Sequence, residues 1–232
     1  MKTFRRIVLA FVVLVILGAA AGFAYVWFAG GSGQASAPAE AAPIQTPEPQ
    51  SVVYRAIADE SEARFLIEEV LRGQPNTVVG VTDQVDGSIA VRRDPGDVQI
   101  GAFVINVRTI RTDDEVRDRT IRTLILESNR DEFEFARFEP TAVSGVPDQI
   151  GTGDQLVLQV SGDLTVRDVT TPAVFAMNLA IESDDLVRGN AVTTITWEEL
   201  EIEIPYVGGN SIVASVGEEV RLELEFVARA QR

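Results

Sequence analysis

The 232-residue chain contains no histidine and no cysteine, and its formal net charge is −15 at pH 7. Without imidazole or thiolate it can form no typical zinc site, Ser-His-Asp triad, cysteine nucleophile or disulfide, and no metal site or resident cofactor is predicted. The excess of acidic side chains repels phosphate backbones, so nucleic acid is not an expected partner.

The N-terminus carries the features of a membrane segment. A basic flank (residues 1–6, with Lys2, Arg5 and Arg6) precedes an uncharged, mostly apolar run at residues 7–29. As a helix this run would reach roughly 34 Å, enough to cross the hydrocarbon core of a bilayer. The flank predicts a cytoplasmic N-terminus and an exported C-terminal domain, periplasmic or extracellular. A cleaved signal peptide is the alternative.

Residues 30–50 (GGSGQASAPAEAAPIQTPEPQ) consist mainly of Gly, Ala, Ser, Gln and Pro. Such a segment has too little apolar surface to bury and is predicted to be a flexible linker. The remaining residues, 51–232, are long enough to form one domain with a full core.

Apolar residues in the domain recur mostly with a period of two, which predicts strands with one buried and one solvated face. The clearest example runs from Val220 to Ala228. Many short strands of this kind favour a barrel or a sandwich. Turns are predicted at Asp86-Gly87, Asp94-Pro95-Gly96, 144–154, Gly189-Asn190 and 208–210.

One segment, at about 112–127, has helical rather than strand periodicity, with Val116, Ile121 and Ile125 recurring on one face. Thr112 followed by Glu115 predicts a capping box at its beginning. The charged side chains of this helix are interpreted as a solvated surface; they are Arg117, Asp118, Arg119 and Arg122.

The sequence GDLTVRDVTTP at 162–172 resembles the G-x-L-T-[IV]-x-x-V-T-x-P hallmark of the YceI-like family. Further segments are similar to that family at 54–67 (YRAIADESEARFLI), 109–123 (TIRTDDEVRDRTIRT), 195–209 (ITWEELEIEIPYVGG) and 213–228 (VASVGEEVRLELEFVA). The resemblance covers essentially the whole domain. It implies an all-β, mainly antiparallel, lipocalin-like eight-stranded barrel with one short inserted helix, holding a polyisoprenoid chain in an apolar tunnel.

The sequence departs from the family pattern where histidines are common. The family commonly has one histidine before the serine of its first strand and another at the end of that strand, and these places fall on Glu60 and Glu69 here. Arg167-Asp168 replaces the usual His-Gly of the hallmark. The apolar tunnel does not depend on these positions. The resemblance therefore implies binding of a lipid tail and leaves the head group open.

Inward-facing positions on the predicted strands form the expected lining of the tunnel. They are Phe65, Ile67, Phe103, Ile105, Val107, Leu158, Leu164, Val166, Phe175, Met177, Leu179, Leu222, Leu224 and Phe226. Periodicity alone equally allows these side chains to fill a solid core, because a barrel of about eight strands can be filled or hold one small ligand.

The predicted function is that of a membrane-tethered, non-enzymatic protein that carries an isoprenoid lipid, either a polyprenol or an isoprenoid quinone. A homodimer is compatible with the sequence. Two alternatives are a solid-cored structural or adhesive domain of the cell envelope and a carboxylate-based hydrolase. The hydrolase is disfavoured because neighbouring carboxylates, such as Glu198 and Glu199, point to opposite faces of a strand.

Overall fold

An apolar helix, α1, begins the chain and extends from Lys2 to Ala29. The computed structural model describes residues 2–204 and 213–231. Within α1, the segment Val12–Ala29 has a mean hydropathy of 2.2 and is long and apolar enough to cross a membrane. The predicted apolar run therefore forms a continuous helix. The side chains of the basic flank are not among those that the structure describes.

Ten strands, all paired antiparallel, follow α1. They are β1 (Val52–Ala56), β2 (Glu62–Leu71), β3 (Gln74–Thr82), β4 (Val85–Arg93), β5 (Gly96–Asn106), β6 (Phe135–Ser144), β7 (Gln155–Val166), β8 (Val169–Ile181), β9 (Leu186–Thr196) and β10 (Val213–Ala230). Single turns of 3₁₀ helix occur at Ala58–Glu60, Val107–Thr109, Asp131–Phe133 and Glu198–Leu200.

The strands close into a ring of eight in the order β1-β4-β5-β6-β7-β8-β9-β10, with β10 pairing back to β1. β10 pairs with β2 from Val213 to Glu225 and with β1 from Ala228 to Ala230. β1 and β2 thus form two halves of one long wall strand, and β3 and β4 return beside them. The predicted eight-stranded antiparallel barrel is confirmed. Outside the ring of eight, β3 pairs with β2 on one edge and forms a single bridge, from Val81 to Arg111, on the other.

The helical insert lies between β5 and β6. It consists of α2 (Glu115–Thr120) and a π-helical turn, Ile121–Ile125, so the predicted helix is confirmed but is shorter than 112–127. The capping-box prediction was wrong. Asp114 is the N-cap and accepts a 2.8 Å hydrogen bond from the Arg117 N–H, whereas Thr112 donates its N–H and hydroxyl to the buried Asp118. Because the Asp118 carboxylate accepts both hydrogen bonds from Thr112, Thr112 does not cap the helix.

Two of the predicted turns lie inside strands instead. Gly87 is in β4 opposite Phe103, and Gly189 is in β9 opposite Phe226. A Cβ atom at either glycine would lie within 2.4 Å of the facing ring, so these glycines provide room for phenylalanine rather than a turn. The turns at Asp94-Pro95-Gly96 and 144–154 are confirmed in position, and 208–210 lies outside the described residues.

Residues 30–50 form neither helix nor strand, and part of this segment contacts the barrel. We call residues 30–41 the strap. Its Ser36 N–H donates to the Glu134 carboxylate at 2.8 Å, and its Ala41 N–H donates to Asp86 at 2.7 Å. Specific hydrogen bonds therefore join the predicted linker to barrel residues.

The carboxylate of Glu134 is the centre of one strap contact. Besides Ser36, it accepts a 2.7 Å hydrogen bond from Asn106 Nδ2 and lies 3.0 Å from Arg108 Nη1. Burial raises the pKa of this carboxyl. The hydrogen bonds from Ser36 and Asn106, together with the charge of Arg108, outweigh that effect and hold the pKa below its usual value.

Because these contacts favour ionised Glu134, its contribution to stability is present above pH 4.5 and is lost as pH falls through its lower folded-state pKa. We expect the Tm of the full-length protein in detergent to fall more steeply below pH 4.5 than that of Glu134→Gln, which lacks this titration. Differential scanning calorimetry measures both profiles. Parallel profiles of Tm against pH for the two proteins would contradict the stabilising role of ionised Glu134.

The glycine–phenylalanine pairs give a matched test of packing. A Cβ at Gly189 or at Gly80 would lie 2.1 Å from the ring of Phe226 or Phe65, respectively. Phe226 is fully enclosed whereas Phe65 is half-buried and has room to turn away. Gly189→Ala should lower the free energy of unfolding by about 1–3 kcal/mol and Gly80→Ala by less, as measured by urea denaturation. A larger loss for Gly80→Ala would refute this view of the packing.

Candidate functional site

A cavity of about 450 Å³ occupies the half of the barrel beneath α2. Its walls come from β2, β3 and β5 to β10, while β1 and β4 contribute no described residue to them. Nearly all of the lining side chains are apolar. A volume of this size lies within the range of small-molecule binding pockets, which are usually apolar with a few polar groups.

Most of the predicted tunnel residues line this cavity. They are Phe65, Ile67, Phe103, Ile105, Val107, Leu164, Val166, Phe175, Met177, Leu222 and Leu224. Leu158, Leu179 and Phe226 do not line this cavity; they are at most 2% exposed and lie in the packed core. These three share the inward face of their strands with the lining residues, but they lie in the other half of the barrel.

The barrel therefore has a hollow half and a solid half. In the solid half, buried side chains such as Tyr54, Ile89 and Ile181 fill the interior. Phe103 lies at the boundary, because it lines the cavity and its ring centroid is 5.4 Å from that of Phe226. A solid core and a hollow lumen were alternatives from the sequence, and each describes one half of the barrel.

The cavity also has a roof that the sequence did not identify. Val116, Thr120, Ile121 and Ile125 of the insert face the cavity, as do residues between Trp197 and Ile204. Helical spacing in the insert did indicate an apolar face. It could not indicate that this face covers the end of a barrel, because that depends on where the chain returns after β5.

Four charged residues line this apolar space: Arg64 and Glu223, whose charged groups lie 3.8 Å apart, and Glu69 and Arg117. Glu69 is 8% exposed, accepts a 2.8 Å hydrogen bond from Asn76 Nδ2 and lies 3.5 Å from Arg117 Nη2. Arg117 also pairs with Asp113. The interpretation of the insert's charged side chains as a solvated surface was therefore wrong for Asp118 and Arg122, which are 5% and 1% exposed. It was incomplete for Arg117, whose side chain lines the cavity and pairs with a buried carboxylate.

The other positions that depart from the family pattern lie elsewhere. Glu60 pairs with Arg229 at 3.2 Å, outside the cavity. Arg167 occupies the tight turn between β7 and β8 and donates to the Ile125 and Glu201 carbonyls at 3.2 and 3.0 Å. Of these substituted positions, Glu69 is thus the one at the cavity, while Arg167 holds the roof in place.

Comparisons with solved structures show the same architecture in bacterial proteins. A polyisoprenoid-binding domain from Saccharophagus degradans, implicated in plant cell wall breakdown, matches with a TM-score of 0.58 and 13% identity, over 78% of this chain and 99% of that one. Burkholderia cenocepacia BcnA matches with a TM-score of 0.54 and 15% identity, over 74% and 98%. At these identities the likeness shows the fold alone.

The sequence itself gives a more specific result. Among curated proteins none gives a significant match. The model of the YceI-like domain, however, matches residues 54–228, which is most of the chain and includes every strand from β2 to β9. The hallmark at 162–172 spans the end of β7, the turn and the beginning of β8. The chain therefore belongs to the YceI-like family.

Proposed function

We propose that this protein binds the tail of an isoprenoid lipid, a polyprenol or an isoprenoid quinone, in the cavity beneath α2 and carries it beside a membrane. The observation that carries the proposal is the hollow half of the barrel, whose walls are almost entirely apolar. A structural relative described as polyisoprenoid-binding supports the same class of ligand.

The energetics favour reversible exchange with a bilayer. Burying one isoprene unit removes roughly four to five carbons from water, which is worth roughly 3–4 kcal/mol. A lipid tail normally lies in a bilayer, however, and its transfer to an apolar cavity is close to balanced. A carrier of this kind can therefore load and release its ligand without an energy source.

The proposed location is the outer side of a cell membrane, with α1 as an uncleaved anchor and the barrel exported. The basic residues Lys2, Arg5 and Arg6 at the beginning of α1 support this orientation, as do aromatic residues such as Trp27 and Phe28 near its end. A binding role without catalysis agrees with membership in a family of binding domains. The charged cavity residues Glu69 and Arg117 are already paired with each other.

The polar group at the cavity suggests how a head group is bound. Glu69, Asn76 and Arg117 offer a hydrogen-bond acceptor and donors next to the apolar walls. Because Glu69 and Asp113 both neutralise Arg117, the group suits an uncharged hydroxyl or carbonyl better than a phosphate. This chemistry agrees with a polyprenol or a quinone.

Blocking the cavity tests the proposal. Ala63 lines the hollow half, whereas Ala176 is exposed on the outer face of β8. We expect purified full-length protein and its Ala176→Trp variant to bind radiolabelled polyprenol at about one per chain, and Ala63→Trp to lose at least about tenfold in affinity because its indole fills the cavity. Circular dichroism confirms folding. Failure of the folded wild type to bind would favour the solid-cored structural alternative.

Replacing the buried carboxylate tests the head-group site. Glu69→Gln keeps the shape of the side chain and removes a charged acceptor, whose hydrogen bond to a ligand hydroxyl is worth about 1.5–3 kcal/mol. We expect the affinity for polyprenol to fall by about tenfold or more and that for squalene, which has no hydroxyl, to change by less than about twofold. Equal losses for both ligands would show that Glu69 does not contact the head group.

A further inference from the structure

The end of α1 is in direct contact with α2. Arg119 Nη1 donates to the Trp27 carbonyl at 2.7 Å and to the Gly31 carbonyl at 2.8 Å, and its guanidinium carbon lies 4.1 Å from the centroid of the Trp27 ring. The last carbonyls of a helix lack partners within the helix and form the negative end of its dipole. Arg119 therefore caps α1 from the barrel side.

Two further arginines continue this contact along the strap. Arg122 is 1% exposed and donates from Nε to the Gly30 carbonyl at 2.7 Å, while Arg111 Nη2 donates to the Ser32 carbonyl at 2.8 Å. Burial and the neighbouring charge of Arg111 lower the pKa of Arg122. A buried guanidinium needs polar partners. The strap carbonyls therefore stabilise the arginines of the insert, and these arginines in turn hold the strap against the insert.

The glycines of the strap fit this contact sterically. Gly33 has a φ of +66°, and a Cβ there would lie 2.7 Å from Arg122 Nη1. A Cβ at Gly30 would lie 2.9 Å from that of Arg119. The GGSG sequence thus allows the chain to pass close to the arginine side chains immediately after α1.

The opposite side of the insert forms the cavity roof. Val116, Thr120 and Ile121 line the cavity, whereas Arg119 and Arg122 contact α1 and the strap. Val116 is also 44% exposed, which places it at the rim. One short helix therefore separates the end of the proposed membrane anchor from the proposed lipid site.

We infer that the face of the barrel carrying α2 docks on the surface of the leaflet in which α1 ends, so that the cavity rim is held at the level of the lipid head groups. The inference rests on the proposed anchoring by α1 and adds the orientation of the barrel. Trp27 and Phe28 mark the boundary between hydrocarbon and water. A 2.7 Å hydrogen bond joins Trp27 to α2, which brings the insert to that boundary.

The alternative geometry is a barrel that moves freely on a long tether. Were residues 30–50 extended, they would allow a span of up to roughly 70 Å at about 3.3–3.6 Å per residue. The contacts of Arg111, Arg119 and Arg122 remove that freedom at the first residues after α1. A docked rim shortens the path of a lipid from bilayer to cavity and avoids its exposure to water.

Fluorescence quenching in proteoliposomes tests the docking. The chain has no cysteine, so Val116→Cys and Val157→Cys each accept one bimane label. Val157 is 71% exposed on β7 in the solid half of the barrel and serves as the control. With full-length protein in phosphatidylcholine–phosphatidylglycerol vesicles, we expect lipids carrying a head-group spin label to quench Val116→Cys at least about threefold more strongly than Val157→Cys. Equal quenching would overturn the inference.

Insertions separate the docking from the tether. An insertion of about eight Gly/Ser residues after Ala29 detaches α1 from the strap. The same insertion after Pro49 leaves residues 30–41 and their contacts in place. We expect only the first insertion to abolish the difference between the two labels. The difference surviving both insertions would contradict a role for these contacts.

The outcome is distinguishable from failure of the lipid-carrier proposal. Preferential quenching of Val116→Cys, together with no polyprenol binding by the unlabelled wild type, would support docking and refute the carrier. Polyprenol binding with equal quenching of both labels would support the carrier and refute docking. Release of the folded domain from the vesicles during flotation would contradict both the anchor and the docking.

Discussion

Closure of the strands into a hydrogen-bonded ring is the constraint on which the rest of the structure depends. A closed barrel satisfies its wall backbone without a free edge, and its inward side chains then have to fill the interior or leave a cavity. Here Phe226 fits over Gly189 and helps fill one half, whereas Phe65 and Phe103 stand over glycines at the wall of the other. Glycines opposite aromatic rings thus occur in the walls of both halves, where they make room for the rings.

The helical insert connects the barrel, the end of α1 and the strap. Its apolar side chains cover the hollow half, its arginines hold the end of α1 and the strap, and Arg117 meets Glu69 beside the cavity. Arg167 at the hallmark turn fixes the π-helical end of the insert through the Ile125 carbonyl. The support of the roof therefore comes from a position of the turn at which this chain departs from the usual hallmark.

Alternation along segments such as Val220–Ala228 indicates which side chains face inward but left a barrel and a sandwich open, and the resemblance to the YceI-like family selected the barrel. Alternation does not show how far along the barrel axis a side chain lies. Leu179 and the lining residue Met177 have the same alternation but lie in different halves of the barrel. A glycine in the sequence could likewise indicate either a turn or a close contact within a strand. Gly189 is small because an aromatic ring lies opposite, a long-range contact that local turn propensity cannot reveal. Glu69 could be noted as a departure from the family, but its place at the cavity required the fold.

Native mass spectrometry of the full-length protein, released from its own membrane in mild detergent, tests the central claim most directly. The hollow half beneath α2 predicts a single adduct per chain that leaves intact on collisional activation and fragments as an isoprenoid lipid with an uncharged head. A folded protein that shows no lipid adduct, and gains none when mixed with polyprenols or isoprenoid quinones, would contradict the account.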